Sequence, residues 1–411
     1  MITKINNIKN STPFLINLPI GIVTALLFSS FIYLEHYGFS IKVLNTLFAL
    51  LSLGLFLYIP KKAVLVAGFF IGILWFYWIG YSFEYNGVGW MTPIITFGFA
   101  IIYMLFFGVL ALTKKVYIRA LLLFGLSFFE PFDWNWLQME LLFVDSYIGV
   151  FKYQLALVLL ALTLPNYIKK PYTYLPLSLL ILALNFTPTV QKDAPLKIKL
   201  VATDIKQEEK WLRESKYPLI KQNLDAISKA IDEGYDLVVL PESCFPIFMN
   251  RYKSLTNKLK NLSYDISIVA GALLKENGKS YNVTYFFQDG KVEIAKKMVL
   301  VPFGEYIPLP KFAQKFISDF FFAGQADFVQ AKKPTDFIIK GIKFRNAICY
   351  EATCQEIYEG EVDFVLATSN NAWFKPSIEP TIQKLLLRYY GRKNGVTIYH
   401  SANWSGTGIV K

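Results

Sequence analysis

Two regimes of hydrophobic patterning divide the chain. Up to about residue 190, long apolar runs are broken only by short polar loops, and beyond it short apolar runs alternate with amphipathic ones. A bilayer core takes about 20 apolar residues per helix, fewer where flanking side chains snorkel. Phe14–Leu34, Ile41–Tyr58, Ala63–Tyr81, Met91–Thr113, Tyr117–Phe129, Val150–Pro165 and Tyr172–Phe186 meet that demand. The pattern therefore predicts a transmembrane bundle of about seven helices over residues 1–192 and a second domain over residues 193–411, with the boundary near Lys192.

In the second domain the apolar period switches between strand and helix. Lys197–Ala202 reads as an opening strand and Tyr217–Ile231 as an amphipathic helix. Asp236–Leu240 reads as a strand buried on both faces, ending in Pro241-Glu242-Ser243. Ile266–Leu274 and Ser280–Phe287 form a strand pair around Glu276-Asn277-Gly278, and a second turn follows at Gln288-Asp289-Gly290. The run ending at Ile348 and Asp363–Thr368 are further strands, followed by a helix over Thr381–Tyr390 and a strand over Val396–Ala402. Strands alternating with helices imply layered α/β architecture with its chemistry at the strand ends.

Composition sharpens the first regime. With 54% hydrophobic and 18% charged residues, the chain is too apolar to be wholly soluble. Lys4, Lys9, Lys61, Lys62, Lys114, Lys115, Arg119, Lys169 and Lys170 fall in every second loop, whereas Glu35, Glu84, Glu130, Asp133, Glu140 and Asp145 fall in the others. This asymmetry puts the N-terminus in the cytoplasm and, after an odd number of spans, the second domain outside it. The first span reads as a retained signal anchor. The net charge of +12 is partly accounted for by the inside loops and calls for no nucleic acid. Trp134-Asn135-Trp136-Leu137-Gln138-Met139-Glu140 fits a membrane interface, as anchor or lipid entry path, and Lys152 fits snorkelling toward a phosphate.

Candidate chemistry centres on Arg345-Asn346-Ala347-Ile348-Cys349-Tyr350-Glu351, where a strand-like run ends on a cysteine. Such a cysteine suits inert core as well as a nucleophile. The chain has two histidines, His36 and His400, so a multi-histidine metal site is excluded and a cysteine–histidine pair would have to rest on His400. Three cysteines, of which only Cys349 and Cys354 are close, make no zinc signature. A cysteine nucleophile here would need a carboxylate base and a cationic donor. Glu242 and Lys297 both sit at predicted strand ends or turns.

Four blocks carry a family resemblance: Leu-Pro-Glu-Ser at 240–243, Lys-x-x-Leu-Val-Pro-Phe-Gly-Glu at 297–305, Ile-Cys-Tyr-Glu at 348–351 and Ser-Asn-Asn-Ala-Trp-Phe at 369–374. Behind seven spans, they resemble in order and spacing the membrane-bound branch of the nitrilase superfamily, the apolipoprotein N-acyltransferases. The resemblance implies an α-β-β-α sandwich in the periplasm of a bacterium, anchored in the inner membrane. It implies acyl transfer from a phospholipid to the amino group of an S-diacylglyceryl cysteine at the N-terminus of an apolipoprotein, without cofactor or metal. A monomer is expected.

Carried over residue by residue, the resemblance makes Cys349 the acyl carrier, Glu242 the base, and Lys297 with the Tyr350 backbone N–H the oxyanion support. Glu305 and Glu351 match supporting acids, Trp211 an aromatic on a mobile arm, and Trp373 part of the substrate lining. Lys297 is expected to lower the thiol pKa. Phe312, Phe316 and Phe320 share one helical face and suit either a lid at the membrane or core packing. Cys244 and Cys354 read as thiols. Asn403–Gly408 departs from the family's usual run, and Lys411 comes before the closing strands and last span of that pattern. A tethered amidase using water as acceptor and a non-catalytic membrane binding protein are the competing readings.

Overall fold

The computed structural model describes residues 14–186, 189–302, 304–306 and 328–411. The chain forms two compact units: one runs to Glu130 and resumes at Leu137, the other joins Pro131–Trp136 to Thr189–Lys411. Phe316 and Phe320 lie outside the described residues, as does Phe312.

The first unit is built from apolar helices α1 (Phe14–His36), α2 (Lys42–Tyr58), α3 (Lys61–Phe76), α4 (Thr92–Gly108), α5 (Val116–Leu126), α6 (Lys152–Thr163) and α7 (Leu179–Leu182). A Cβ on Gly72 would lie 2.5 Å from the Phe99 carbonyl oxygen, and one on Gly68 would lie 2.6 Å from that of Tyr103. These two glycines, four apart, let α3 and α4 touch backbone to backbone, the usual solution where lipid supplies no hydrophobic drive between helices. Phe28, Phe56, Trp75 and Phe107 fill the centre, with ring centroids 5.8 Å or less from Phe28.

Among the described residues, three helical stretches are long and apolar enough to cross a membrane: Ile16–His36, Lys61–Tyr85 and Gly89–Leu112. The other predicted spans are shorter. The Val150–Pro165 run keeps α-helix only over α6, and the Tyr172–Phe186 run opens as a 3-10 helix around Pro176, which has no amide to donate. Lys152 is held within its own unit: its ammonium pairs with the buried Glu140 carboxylate at 2.7 Å. Arg119, buried on α5, donates to carbonyls that α2 and the Val109–Leu112 turn leave open, at 2.6 Å from Ile59 O and 3.1 Å from Leu110 O.

The second unit is a two-sheet sandwich. The first sheet has the order β1 (Ile198–Leu200), β2 (Leu237–Val239), β3 (Ser267–Glu276), β4 (Lys279–Gln288), β5 (Lys291–Lys296). The second has β10 (Gly408–Val410), β9 (Thr397–Asn403), β8 (Phe364–Asn370), β7 (Ile342–Ile348), β6 (Asp336–Ile339). β1, β2 and β3 run parallel, as do β7, β8 and β9, and the outer pairs are antiparallel. Period-2 alternation on β2 divides its side chains between two cores. Leu237 and Val239 meet Phe286, Phe337, Phe344 and Leu366 between the sheets. Val238 and Leu240 face Ile227 and Ala230 of α9 (Lys216–Asp232) and Leu255 and Leu259 of α10 (Lys253–Leu262). A further helix, α11 (Glu379–Asn394), contacts β9 and the turn after β7.

Within the predicted interface stretch Trp134–Glu140, the first three residues belong to the second unit and are held there by protein contacts. Trp134 stacks on Tyr350 with centroids 5.4 Å apart, Trp136 Nε1 donates to Thr353 Oγ1 at 2.9 Å, and Asn135 Nδ2 donates to Thr353 O at 2.6 Å. The rings are buried in the second unit because the turn after β7 offers both an aromatic face and unused acceptors.

Candidate active site

The parallel strands of both sheets deliver their C-terminal ends to one region, and two of those ends are strained. β2 ends at Glu242-Ser243, with Ser243 at φ +47°, and β7 ends at Cys349, with φ +56°. Non-glycine residues hold the left-handed region only where their surroundings impose it, commonly at functional sites. Gly271 allows the first of these turns. A Cβ there would lie 2.3 Å from Ser243 N and 2.8 Å from Glu242 Cα, so β3 can pass under the turn only as glycine.

Around these turns the charged groups are mutually held. Lys297 leaves β5 fully buried, its Nζ 2.7 Å from Glu305 Oε2. Val301 N donates to the same oxygen at 2.9 Å, which returns Glu305 toward Lys297. Asn282 of β4, buried, donates from Nδ2 to Glu242 Oε1 at 2.7 Å and lies 3.4 Å from Glu305 Oε1. Glu242, Asn282, Glu305 and Lys297 thus form one chain of contacts, and the charges of Glu242, Lys297, Glu305 and Glu379 act on Cys349.

Glu351 acts as a clasp. Its carboxylate accepts from Ile348 N at 2.6 Å on one side and from Met298 N at 2.7 Å and Val299 N at 3.2 Å on the other. It therefore ties the residues beside Lys297 to those beside Cys349. Burial outweighs the backbone donors and Lys297, and raises its carboxyl to about 7.

Lys297 lowers the thiol pKa as expected, but other groups set the balance. Burial pushes the Cys349 thiol well above its ordinary range, and Glu242, Glu379 and Glu305 push the same way; Lys297 opposes them without prevailing. Its cation is already shared with carboxylates. Burial works against the Lys297 charge, but Glu305, Glu242 and Cys349 outweigh it and the ammonium is held strongly protonated. The resting pair is therefore thiol and ammonium, and a nucleophilic thiolate at this position would have to be made by proton transfer.

Three site residues carried no functional signal in the sequence. Asn282 reads as one polar position in an alternating strand. Glu379 reads as an acid in the first turn of a helix, yet it is fully buried, its Oε2 has no hydrogen-bond partner among the described residues, and burial with Glu242 raises its carboxyl well above the ordinary range. Lys210 reads as a surface lysine beside Trp211, yet it is 1% exposed and donates from Nζ to Glu242 O at 3.0 Å. Trp211 itself is 46% exposed at the end of the short helix α8 (Gln207–Lys210), and Trp373 is half-buried in the turn after β8. His400 is a packing group: its ring bridges Gly406 O at 2.9 Å and Ser369 Oγ at 2.8 Å, and burial lowers its pKa to about 4. All three cysteines are free thiols.

Comparison with known proteins gives two adjoining family matches. Residues 15–186 match the apolipoprotein N-acyltransferase integral membrane domain, and residues 206–407 match carbon-nitrogen hydrolase. An apolipoprotein N-acyltransferase of Wolinella succinogenes is 43% identical over 399 residues, 96% of either chain. The chain belongs to the apolipoprotein N-acyltransferase family. A second family member, from Helicobacter hepaticus, is 37% identical over 92% of this chain and 96% of its own. Among solved structures, a CN-hydrolase superfamily protein from Xanthomonas campestris aligns with a TM-score of 0.39 at 15% identity, covering 51% of this chain and 76% of that one. Family membership makes this chain an acyltransferase of the nitrilase type with an integral membrane domain, and its α/β unit the nitrilase fold.

Proposed function

We propose that the chain moves an acyl group from a membrane phospholipid to the N-terminal amine of an S-diacylglyceryl cysteine on an apolipoprotein, in two steps through a thioester on Cys349. The observation that carries this reading is the buried chain Glu242–Asn282–Glu305–Lys297 beside a strained Cys349, in a protein whose other unit is a membrane domain. In the first step Glu242 takes the thiol proton as Sγ attacks the ester carbonyl. The developing oxyanion is met by Lys297 and the Tyr350 backbone N–H, the C–O bond breaks, and the departing lysophospholipid oxygen takes the proton back. In the second step the amine attacks the thioester, Glu242 accepts an amine proton, the C–S bond breaks and the thiol is restored. Kinetics of the ping-pong form follow.

In this reading Trp211, which is exposed, and Trp373, which is half-buried, meet acyl chains, as do Phe316 and Phe320, which lie outside the described residues. Loop charge supports a catalytic unit on the periplasmic side of the inner membrane; the reading takes the protein as a monomer that draws its substrates from the bilayer. The test is incubation of the full chain with phospholipid vesicles and a synthetic diacylated lipopeptide. The reading expects a third acyl chain on the peptide's α-amino group and none with Cys349→Ala. Release of free fatty acid alone would replace it with a hydrolase.

A further inference from the structure

Lys210 lies near Cys349, and neither packing nor the reaction just described explains its placement. It is fully buried at the end of α8, and no carboxylate lies within ion-pair distance of it among the described residues. Its ammonium meets neutral acceptors: Glu242 O at 3.0 Å and, with the Asn370 amide oxygen turned toward it, Asn370 at 3.2 Å. The same Asn370 oxygen lies 3.2 Å from Trp373 Nε1. A buried cation without a counter-ion costs several kcal/mol, and an apolar residue of like size would fold as well or better. Groups retained at the expense of stability are concentrated at functional sites.

We propose that Lys210 is a positioning residue for the acyl-transfer site: it holds the Glu242 turn by its carbonyl and adds a second positive charge beside the Glu242–Cys349 pair. The groups whose charge it senses are those at the ends of β2 and β7, namely Glu242, Cys244 and Cys349. Lys297 acts on the same region from the end of β5 while paired with Glu305 at 2.7 Å. Lys210 has no carboxylate within ion-pair distance among the described residues, and its charge is shared between Glu242 and negative charge appearing at Sγ. Burial lowers its own pKa to about 8, with Glu242, Cys244 and Cys349 resisting the fall, so it remains largely protonated at neutral pH. Because Trp211 follows it directly, the exposed indole is tied to the base through one side chain.

The proposal rests on the thioester reading for its role in turnover, and its test is chosen to stand apart from that reading. Alkylation of Cys349 by iodoacetamide in the full detergent-solubilised chain is followed by peptide mass from about pH 6.5 to about pH 9, with no lipid present. In Lys210→Met the rate at about pH 7 is expected to fall about tenfold, the size of effect an opposite charge exerts at close range, and the deficit is expected to shrink as pH rises through about 8, where the wild-type Lys210 loses its charge. Lys210→Gln, which keeps a donor for the Glu242 carbonyl but no charge, is expected to show the same deficit with the same pH dependence. Both variants are expected to melt no lower than the wild type. Wild-type rates in both variants would overturn the proposal, and so would a deficit that persists at high pH or is confined to a variant that melts early. If the wild type alkylates as expected but never acylates, the thioester reading fails while the Lys210 result stands.

Discussion

Removing the Glu305 carboxylate while leaving Lys297 in place tests the ion pair that organises the site. Lys297 is 1% and Glu305 13% exposed, with 2.7 Å between the charged atoms, so solvent screens the pair little. Breaking a buried pair from one side costs about 3–5 kcal/mol, because it strands a charge. Glu305→Ala also deprives Val301 N of its acceptor at 2.9 Å, whereas Glu242 remains to attract Lys297, which together place the loss near 3 kcal/mol. For a unit of this size that is about 6–12 °C in melting temperature. The assay is thermal unfolding of the solubilised full chain at a fixed scan rate, for Glu305→Ala, Lys297→Met and the double variant. Coupling predicts that the double variant melts above Glu305→Ala, since it no longer buries a stranded ammonium. Losses that simply add would refute the ion-pair account of the site. Neither variant with Lys297 replaced is expected to form the acyl-enzyme.

The remaining expectations concern the residues around this pair. Glu351→Gln leaves one carbonyl oxygen for donors that approach from two sides, so acyl-enzyme formation should fall by about tenfold or more while the chain remains folded; an unchanged rate would remove the clasp role. The Glu379 carboxyl has a raised folded-state pKa, so its contribution is fully present below the unfolded value near 4.5 and is lost as pH rises. Glu379→Gln should therefore melt at or above the wild type, with an advantage that grows from pH 5 to 8, and a lower melting temperature throughout would contradict this. The His400 pKa is depressed from 6.5 to about 4, so its contribution is present above pH 6.5 and is lost as pH falls through 4, amounting to about 3 kcal/mol. His400→Gln should accordingly show a shallower acid loss of stability over that window than the wild type; parallel curves would exclude the assignment.

Much of this site is legible in sequence because parallel strands end in recognisable punctuation. Pro241-Glu242-Ser243 after β2 and Cys349 after β7 mark the two strained turns, and the β3–β4 hairpin announces itself by Asn277-Gly278. What is not legible depends on tertiary contact. Lys210 looks like any lysine in a polar segment, and its burial arises because the short helix α8 sits over the end of β2. Asn282 becomes a bridge because its strand register brings it between two carboxylates. Trp134 and Trp136 look like interface aromatics, because sequence cannot tell a ring facing headgroups from one stacked on Tyr350. The edge strands β6 and β10 are too short to impose a period.

The central claim is that Cys349 carries the acyl group between two substrates. It is tested most directly by isolating the full chain after exposure to phospholipid alone and measuring its intact mass and its Cys349 peptide, then adding diacylated lipopeptide. The account predicts a hydroxylamine-labile acyl adduct on Cys349 that disappears as an equal amount of the same acyl chain appears as an amide on the lipopeptide. An adduct that is absent, that sits on another residue, or that leaves only as free fatty acid would contradict it.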